Sequence, residues 1–101
     1  MNYILRFHRA VEEDVRHARE WYEGRETGLG ARFELAYFST LDSIARSAEA
    51  PRPTFRIFRR VLVQKFPYAV WYRVDGNLAT IVLVFDCRRD PRFLRRVLRS
   101  R

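Results

Sequence analysis

The most constraining feature of the sequence is a change of hydrophobic period at two prolines, Pro51 and Pro53. Before them, apolar side chains recur every three or four residues, which predicts helices; after them, apolar and polar residues alternate, which predicts strands. Helices that are grouped ahead of strands along a chain pack together against one sheet. The sequence therefore predicts an α+β fold in which a helical hairpin lies on one face of a small, mostly antiparallel sheet.

Two helices are predicted in the first half of the chain, after a short strand at residues 3–7. The first helix starts with a run of three acidic residues, which the helix dipole favours at that end. Gly24 and Gly28 then interrupt the helical pattern, and a second helix is predicted over residues 29–48. A short turn containing glycine between two helices predicts an antiparallel hairpin.

Three strands are predicted in the second half. Residues 55–65 interleave apolar side chains with arginine, and residues 68–74 alternate in the manner of a strand. An Asp-Gly pair at residues 75–76 is typical of a tight hairpin turn. Residues 80–85 form a nearly unbroken apolar run, which is expected of a central strand buried on both faces.

The C-terminal tail predicts a third helix. Asp90 suits the N-cap position and Pro91 suits the first turn, where the missing N–H of proline costs nothing. The apolar residues of the tail have helical spacing and are surrounded by arginines. The tail is therefore either an amphipathic helix docked on the sheet or a contact for a partner. The full order is β-α-α-β-β-β-α, in a single domain over residues 1–101.

Positive charge dominates the chemistry of the chain. Twenty Lys and Arg face 12 Asp and Glu, which gives a net charge of +8, and Lys65 is the only lysine. Guanidinium groups bind carboxylates and phosphates in bidentate geometry. The charge therefore predicts an acidic macromolecular partner, which is a protein, a nucleic acid or both. The alternative is an arginine-rich surface that is only solvated.

The sequence predicts no cofactor, no metal site and no membrane segment. The single cysteine, Cys87, excludes an internal disulfide and a zinc site built from cysteines, and His8 and His17 have no partners at metal-ligand spacing. The longest uncharged apolar run, residues 78–85, is too short to span a bilayer. The N-terminus lacks the apolar stretch of a signal peptide, so a cytoplasmic protein is expected.

Five arginines are candidates for contacts with an anionic target or with an inhibitor. Arg59 and Arg60 are neighbours on a strand and point to opposite faces, so only one of them can share a site with Arg73. Arg88 and Arg89 directly precede the third helix, where anions tend to bind. For each, the alternative is a solvated charge, which at a sheet edge also discourages unwanted pairing.

Trp71 is the aromatic candidate. An exposed tryptophan on a strand could stack on a base or fill a pocket of a partner, whereas a buried one belongs to the core. Trp21 and Tyr22 are predicted to lie in the core under the first helix.

Several short motifs occur in a characteristic order over this β-α-α-β-β-β plan. They are Ala10, Asp14-Val15, Trp21-Tyr22, Gly28-Leu29-Gly30, Arg32-Phe33, Arg59-Arg60, residues 66–74 and residues 88–91. In this order they resemble the RelE/ParE toxin superfamily, and within it the ParE-like branch, over nearly the full chain. The resemblance implies the toxin of a type II toxin–antitoxin system, a group that includes plasmid stabilisation proteins. It also implies a cognate antitoxin with an acidic segment, whose apolar side chains would enter grooves beside the helical hairpin.

The resemblance leaves two targets open. ParE-like members inhibit DNA gyrase and are not known to need a catalytic constellation, whereas RelE-like members cut mRNA on the ribosome without a metal. Nuclease members usually carry an arginine where this chain has Ala69. Many also carry a histidine near the end of the last strand or a tyrosine in the tail, where this chain has Asp86-Cys87 and Phe93. These departures favour gyrase as the target.

Two further interpretations remain. In the nuclease alternative, Arg59, Arg73 and Arg89 would surround the scissile phosphate and stabilise its transition state. In the third interpretation, the chain is a decayed family member or a DNA-binding accessory without toxicity.

Overall fold

The computed structural model describes residues 2–101. Within that range the predicted order β-α-α-β-β-β-α is confirmed. The four strands form one sheet in the order β1-β4-β3-β2, in which β1 runs parallel to β4 and the other pairs are antiparallel. The elements are β1 Ile4–Phe7, α1 Val11–Arg25, α2 Leu29–Ser47, β2 Arg59–Leu62, β3 Tyr68–Asp75, β4 Leu78–Asp86 and α3 Pro91–Ser100.

The helical hairpin of α1 and α2 covers one face of the sheet. Glu23 near the end of α1 accepts hydrogen bonds from the N–H groups of Gly28 and Gly30, both at 2.9 Å, and so caps the start of α2. Gly30 also lets the helices approach closely, because a Cβ there would lie 2.7 Å from the carbonyl oxygen of Arg19. The fully buried side chains under the hairpin include Phe33, which lies at 0% exposure.

The third helix covers the opposite face of the sheet. Leu98 is buried, and Phe93, Leu94 and Val97 pack beside it on the sheet. Of the two interpretations of the tail, the docked amphipathic helix is therefore the one that the structure shows. Because both faces are covered, the central strand β4 has an almost continuous buried sequence, as its apolar run predicts.

One predicted strand is shorter than its sequence pattern suggests. Residues 55–65 contribute only β2, because Phe55 and Phe58 bridge each other across a tight turn. Arg56 in that turn has a φ of 53°, and Lys65 at the other end has a φ of 70°. A left-handed backbone at both positions is incompatible with an extended strand. The alternating sequence pattern therefore overestimates the length of β2.

Two buried tyrosines predict a loss of stability in alkaline solution. Burial raises the pKa of Tyr37 and of Tyr72 to about 12 each. A tyrosine in the unfolded chain has a pKa near 10, about two units below the pKa of these two residues in the folded protein. The free energy of unfolding is therefore expected to be constant up to about pH 10 and to fall as the pH rises towards 12. Urea denaturation between pH 8 and 12 measures this, and the Tyr72→Phe variant should show a shallower fall. Equal slopes for both proteins would contradict the assignment.

Candidate functional site

A basic cleft opens on the sheet face that α3 covers, between this helix and the edge formed by β2. Its volume is about 270 Å³, and three arginines, Arg60, Arg89 and Arg95, lie around it. Trp71 and Phe85 line its floor. We refer to this feature as the basic cleft. Its lining residues are Thr54, Phe55, Arg60, Trp71, Phe85, Cys87, Arg89, Pro91, Leu94 and Arg95.

Aromatic rings position two of the three arginines. Arg60 lies opposite Trp71 in the register of β2 and β3, and its guanidinium carbon is 5.9 Å from the centre of that ring. The guanidinium of Arg89 lies 4.3 Å from the centre of the Phe93 ring. Among residues 2–101, none of the three arginines of the cleft forms an ion pair with an acidic side chain. The cleft therefore presents three positive charges that are free to bind an anion.

Trp71 is a core residue that contributes to the cleft only from below. Its side chain is 2% exposed and packs with the cluster of residues between the sheet and α3. A base cannot stack on a ring that is covered on both sides. The hypothesis that Trp71 contacts a target through an exposed face is therefore corrected to a supporting role beneath Arg60.

Arg59 and Arg60 point to opposite faces of the sheet, as the sequence predicts. Arg59 lies opposite Tyr72 on the hairpin face. Its guanidinium donates hydrogen bonds to the carbonyl oxygens of Glu49 and Pro51, at 3.0 and 2.6 Å. Arg59 therefore holds the loop that follows α2 through one guanidinium nitrogen, on the face of the sheet opposite the basic cleft.

Arg73 lies on the same face of the sheet as Arg60 and extends the positive surface along β3. It is exposed and lies two residues beyond Trp71, the residue opposite Arg60. Arg73 pairs with Thr80, which lies six residues before the end of β4, whereas Arg89 follows that end. About 20 Å of strand therefore separates Arg73 from Arg89. The structure therefore does not bring Arg59, Arg73 and Arg89 around one phosphate, and the trio of the nuclease alternative is corrected on this point.

Arg88 and Arg89 diverge at the end of β4. Arg88 binds both carboxylate oxygens of Asp86 at 2.9 Å, and this side-chain hydrogen bond lowers the pKa of Asp86. The start of α3 is occupied by its own cap, since the Asp90 carboxylate accepts the N–H of Arg92 at 2.8 Å. Arg88 is therefore already paired, and of the two only Arg89 lines the basic cleft, whereas both line a separate cleft between α1 and α3.

One residue near these sites was predicted wrongly from the sequence, and another was overlooked. Trp21 is 43% exposed and lies between the guanidinium groups of Arg25 and Arg88, so its assignment to the core is wrong, whereas Tyr22 is buried as predicted. Arg95 was not a candidate. The sequence places Arg95 one helical turn after Pro91 and so on the same side of α3, but only the fold shows that this side faces the sheet edge.

A second surface is an apolar groove between β1 and the helical hairpin, which we call the hairpin groove. Its volume is about 610 Å³, and two of its aromatic residues, Phe7 and Phe38, are each about half exposed, at 50% and 51%. Exposed aromatic rings in a groove are typical of a docking surface. The other lining residues are His8, Arg9, Val11, Glu12, Val15, Arg16, Arg19, Glu34, Tyr37 and Leu41.

Neither surface contains a recognisable metal site. Among residues 2–101, no group of three or more His, Cys, Asp or Glu side chains is close enough to hold a metal ion. None of the described helices combines the length and the apolar character that crossing a bilayer requires.

Comparison with known proteins identifies one family and one fold. The family described as "ParE toxin of type II toxin-antitoxin system, parDE" matches residues 5–91. Among solved structures, a chain of the "Chromosomal ParDE TA system from P. aeruginosa" is similar, with a TM-score of 0.61 and 12% sequence identity, over 83% of this chain and 95% of that one. At that identity the likeness concerns the fold. No curated protein matches the sequence. Nearly all of α3 lies beyond the residues that the family model matches.

Proposed function

The chain belongs to the ParE toxin family and is the toxin component of a type II toxin–antitoxin system, and from this premise we propose that it inhibits DNA gyrase by binding. The basic cleft is the surface that contacts the target, and the hairpin groove is the surface that receives the acidic antitoxin. Action on gyrase requires that the toxin resides in the cytoplasm.

The observation that carries this proposal is the combination of free charge and missing proton-transfer groups in the basic cleft. Three unpaired guanidinium groups can hold the phosphates of DNA or the carboxylates of a protein. Metal-independent cleavage of RNA also needs a group that moves a proton. The ten residues that line the cleft include no carboxylate, imidazole or phenol, and burial raises the pKa of the Cys87 thiol, which also lines it. The cleft is therefore suited to binding an anionic surface and lacks the usual means of cutting one.

The antitoxin part of the proposal rests on shape and charge. The hairpin groove offers exposed aromatic rings to the apolar side chains of a peptide. The net charge of +8 accelerates the encounter with an acidic segment. Of the three arginines that line the groove, Arg16 and Arg19 are paired with glutamates, whereas Arg9 forms no ion pair among residues 2–101 and can bind an acidic side chain of the segment.

Expression of the chain alone in bacteria tests the proposal. We expect growth to stop, DNA damage to appear and overproduction of gyrase to relieve the effect. The purified chain should inhibit supercoiling by gyrase in vitro, and co-expression of its cognate antitoxin should restore growth. Cleaved transcripts and a rapid halt in translation would instead establish the ribosome-dependent endonuclease. Unaffected growth would establish a family member without toxicity.

A further inference from the structure

The positive charge of the chain is divided unevenly between its two halves. Residues 1–49, which include β1 and the helical hairpin, carry seven Lys and Arg and nine Asp and Glu. Residues 50–101, which include the other three strands and α3, carry thirteen Lys and Arg and only three Asp and Glu. The first half therefore has a net charge of −2 and the second half a net charge of +10, which together give the +8 of the whole chain.

Six arginines at α3 and the neighbouring sheet edge form one connected surface, which we call the arginine face. Two aromatic rings link its members. The Phe55 ring, which also lines the basic cleft, has two of their guanidinium carbons at 5.5 and 5.6 Å from its centre. The Phe93 ring has two others at 4.3 and 5.7 Å. All six arginines are exposed, and among residues 2–101 they form no ion pair; they are Arg56, Arg60, Arg89, Arg95, Arg96 and Arg99.

The helix α3 holds its arginines on a rigid support. They recur every three or four residues, on the side of the helix opposite Leu98, which is buried against the sheet. Arg101, which follows α3, donates to the carboxylate of Asp14 in α1 at 2.6 and 3.2 Å and to the carbonyl oxygen of Val82 in β4 at 3.0 Å. The helix is thus fastened to both neighbours, so little order has to be created when its arginines bind a partner.

The arginine face lacks the apolar centre of a protein interface. Among residues 2–101, no large exposed apolar side chain lies on α3, and the two in the second half, Ile57 and Leu62, lie on β2 and in the turn before it. Specific interfaces between proteins have an apolar core that is depleted of charge, whereas interfaces with DNA are polar and strongly positive. The arginine face therefore fits the phosphates of a nucleic acid better than the surface of a protein.

The covered aromatic rings favour a duplex over a single strand. Single-stranded nucleic acids bind largely by stacking their bases on aromatic side chains. Trp71 and Phe85 are buried, and the rings of Phe55 and Phe93 are each approached by two guanidinium groups. What this surface offers is an array of charges for a sugar–phosphate backbone. An α-helix such as α3 is also an element that the major groove of DNA admits.

We propose that the arginine face binds the sugar–phosphate backbone of duplex DNA, so that the toxin engages gyrase on the DNA that the enzyme holds. Contacts to phosphates do not read bases, so this binding is independent of base sequence. Phosphates also relieve the repulsion among six like charges that have no acidic neighbour to neutralise them. The inference rests on the proposed function and deepens it, because it names DNA as what the basic cleft and its surroundings contact.

Fluorescence anisotropy with a labelled DNA duplex of arbitrary sequence, in the absence of gyrase, tests the inference. Each neutralised phosphate contributes about 0.9 to the slope of log Kd against log salt concentration, so six contacts give a slope of about 5. The variant R95Q/R96Q/R99Q should lower that slope by about 2.7 and, at about 0.1 M salt, raise the Kd at least about a hundredfold.

The matched control is R6Q/R25Q/R46Q, which removes the same charge from the first half of the chain. Its three arginines are exposed and form no ion pair among residues 2–101. The control should leave the slope unchanged. Equal losses in the two triple variants would reveal diffuse attraction and overturn the inference, as would tighter binding of a single strand or of duplex RNA. Circular dichroism checks folding. If the triple variant does not fold, each of its three single variants should lower the slope by about 0.9, and unchanged slopes overturn the inference.

Failure of the inference and failure of the proposed function give different results. If the chain inhibits supercoiling by gyrase but does not bind duplex DNA, only the inference is wrong. If it binds DNA through the arginine face but does not inhibit gyrase, the contact with DNA is correct and gyrase is the wrong target. If it does neither, both are wrong.

Discussion

Replacement of Arg60, Arg89 and Arg95 together by glutamine is expected to raise the concentration needed for half-inhibition of gyrase by at least about a hundredfold. Each guanidinium makes a charge-assisted contact that a neutral amide reproduces only weakly. A loss of about 1 kcal/mol at each of the three positions is a conservative estimate for such contacts. Three such losses correspond to a factor of about a hundred in affinity.

The measurement is a supercoiling assay with purified gyrase over a range of toxin concentrations, and its control removes the same charge elsewhere. The variant R6Q/R46Q/R52Q also lowers the net charge by three, and its three arginines are exposed and lie outside the basic cleft. General electrostatic attraction to gyrase or DNA would weaken both variants equally. Equal inhibition curves for the two triple variants would therefore contradict the assignment of the basic cleft. Thermal denaturation of both variants shows that any difference does not arise from unfolding.

The order of the elements was predictable because it depends on local sequence patterns. Helical spacing before Pro51 and alternation after it separate the helices from the strands, and the Asp-Gly turn at residues 75–76 fixes the last hairpin. The error over residues 55–65 has the same local origin. Apolar alternation cannot reveal left-handed backbone at arginine or lysine, residue types for which that conformation is uncommon.

The composition of the sites was less predictable because it depends on contacts between distant residues. Arg60 and Arg95 line one cleft only because α3 folds back over the sheet, and a sequence pattern does not specify which face of the sheet a terminal helix covers. The pair of Asp14 and Arg101 joins residues that are 87 positions apart. Strand alternation was sufficient to separate Arg59 from Arg60, but it could not show that Arg59 holds a loop.

The Phe33→Ala variant is expected to lower the free energy of unfolding by about 3–5 kcal/mol, which is much of the stability of a domain of this size. Phe33 is fully buried, and its ring centre lies 5.4 Å from that of Tyr22 and 5.2 Å from those of Phe66 and Tyr68. This ring joins α1 and α2 to the loop that leads into β3. Its removal leaves a cavity among rigid rings that cannot collapse to fill it.

Urea denaturation measures this loss, and Phe38→Ala is the matched control on the same helix. Phe38 is half exposed and lines the hairpin groove, so its removal should change the free energy of unfolding by less than about 1 kcal/mol. The same variant should weaken binding of the antitoxin, because the groove loses an aromatic contact. Phe33→Ala should therefore lose fold stability while Phe38→Ala loses antitoxin affinity. Equal destabilisation by the two variants would show that the hairpin groove belongs to the core and is not a docking surface.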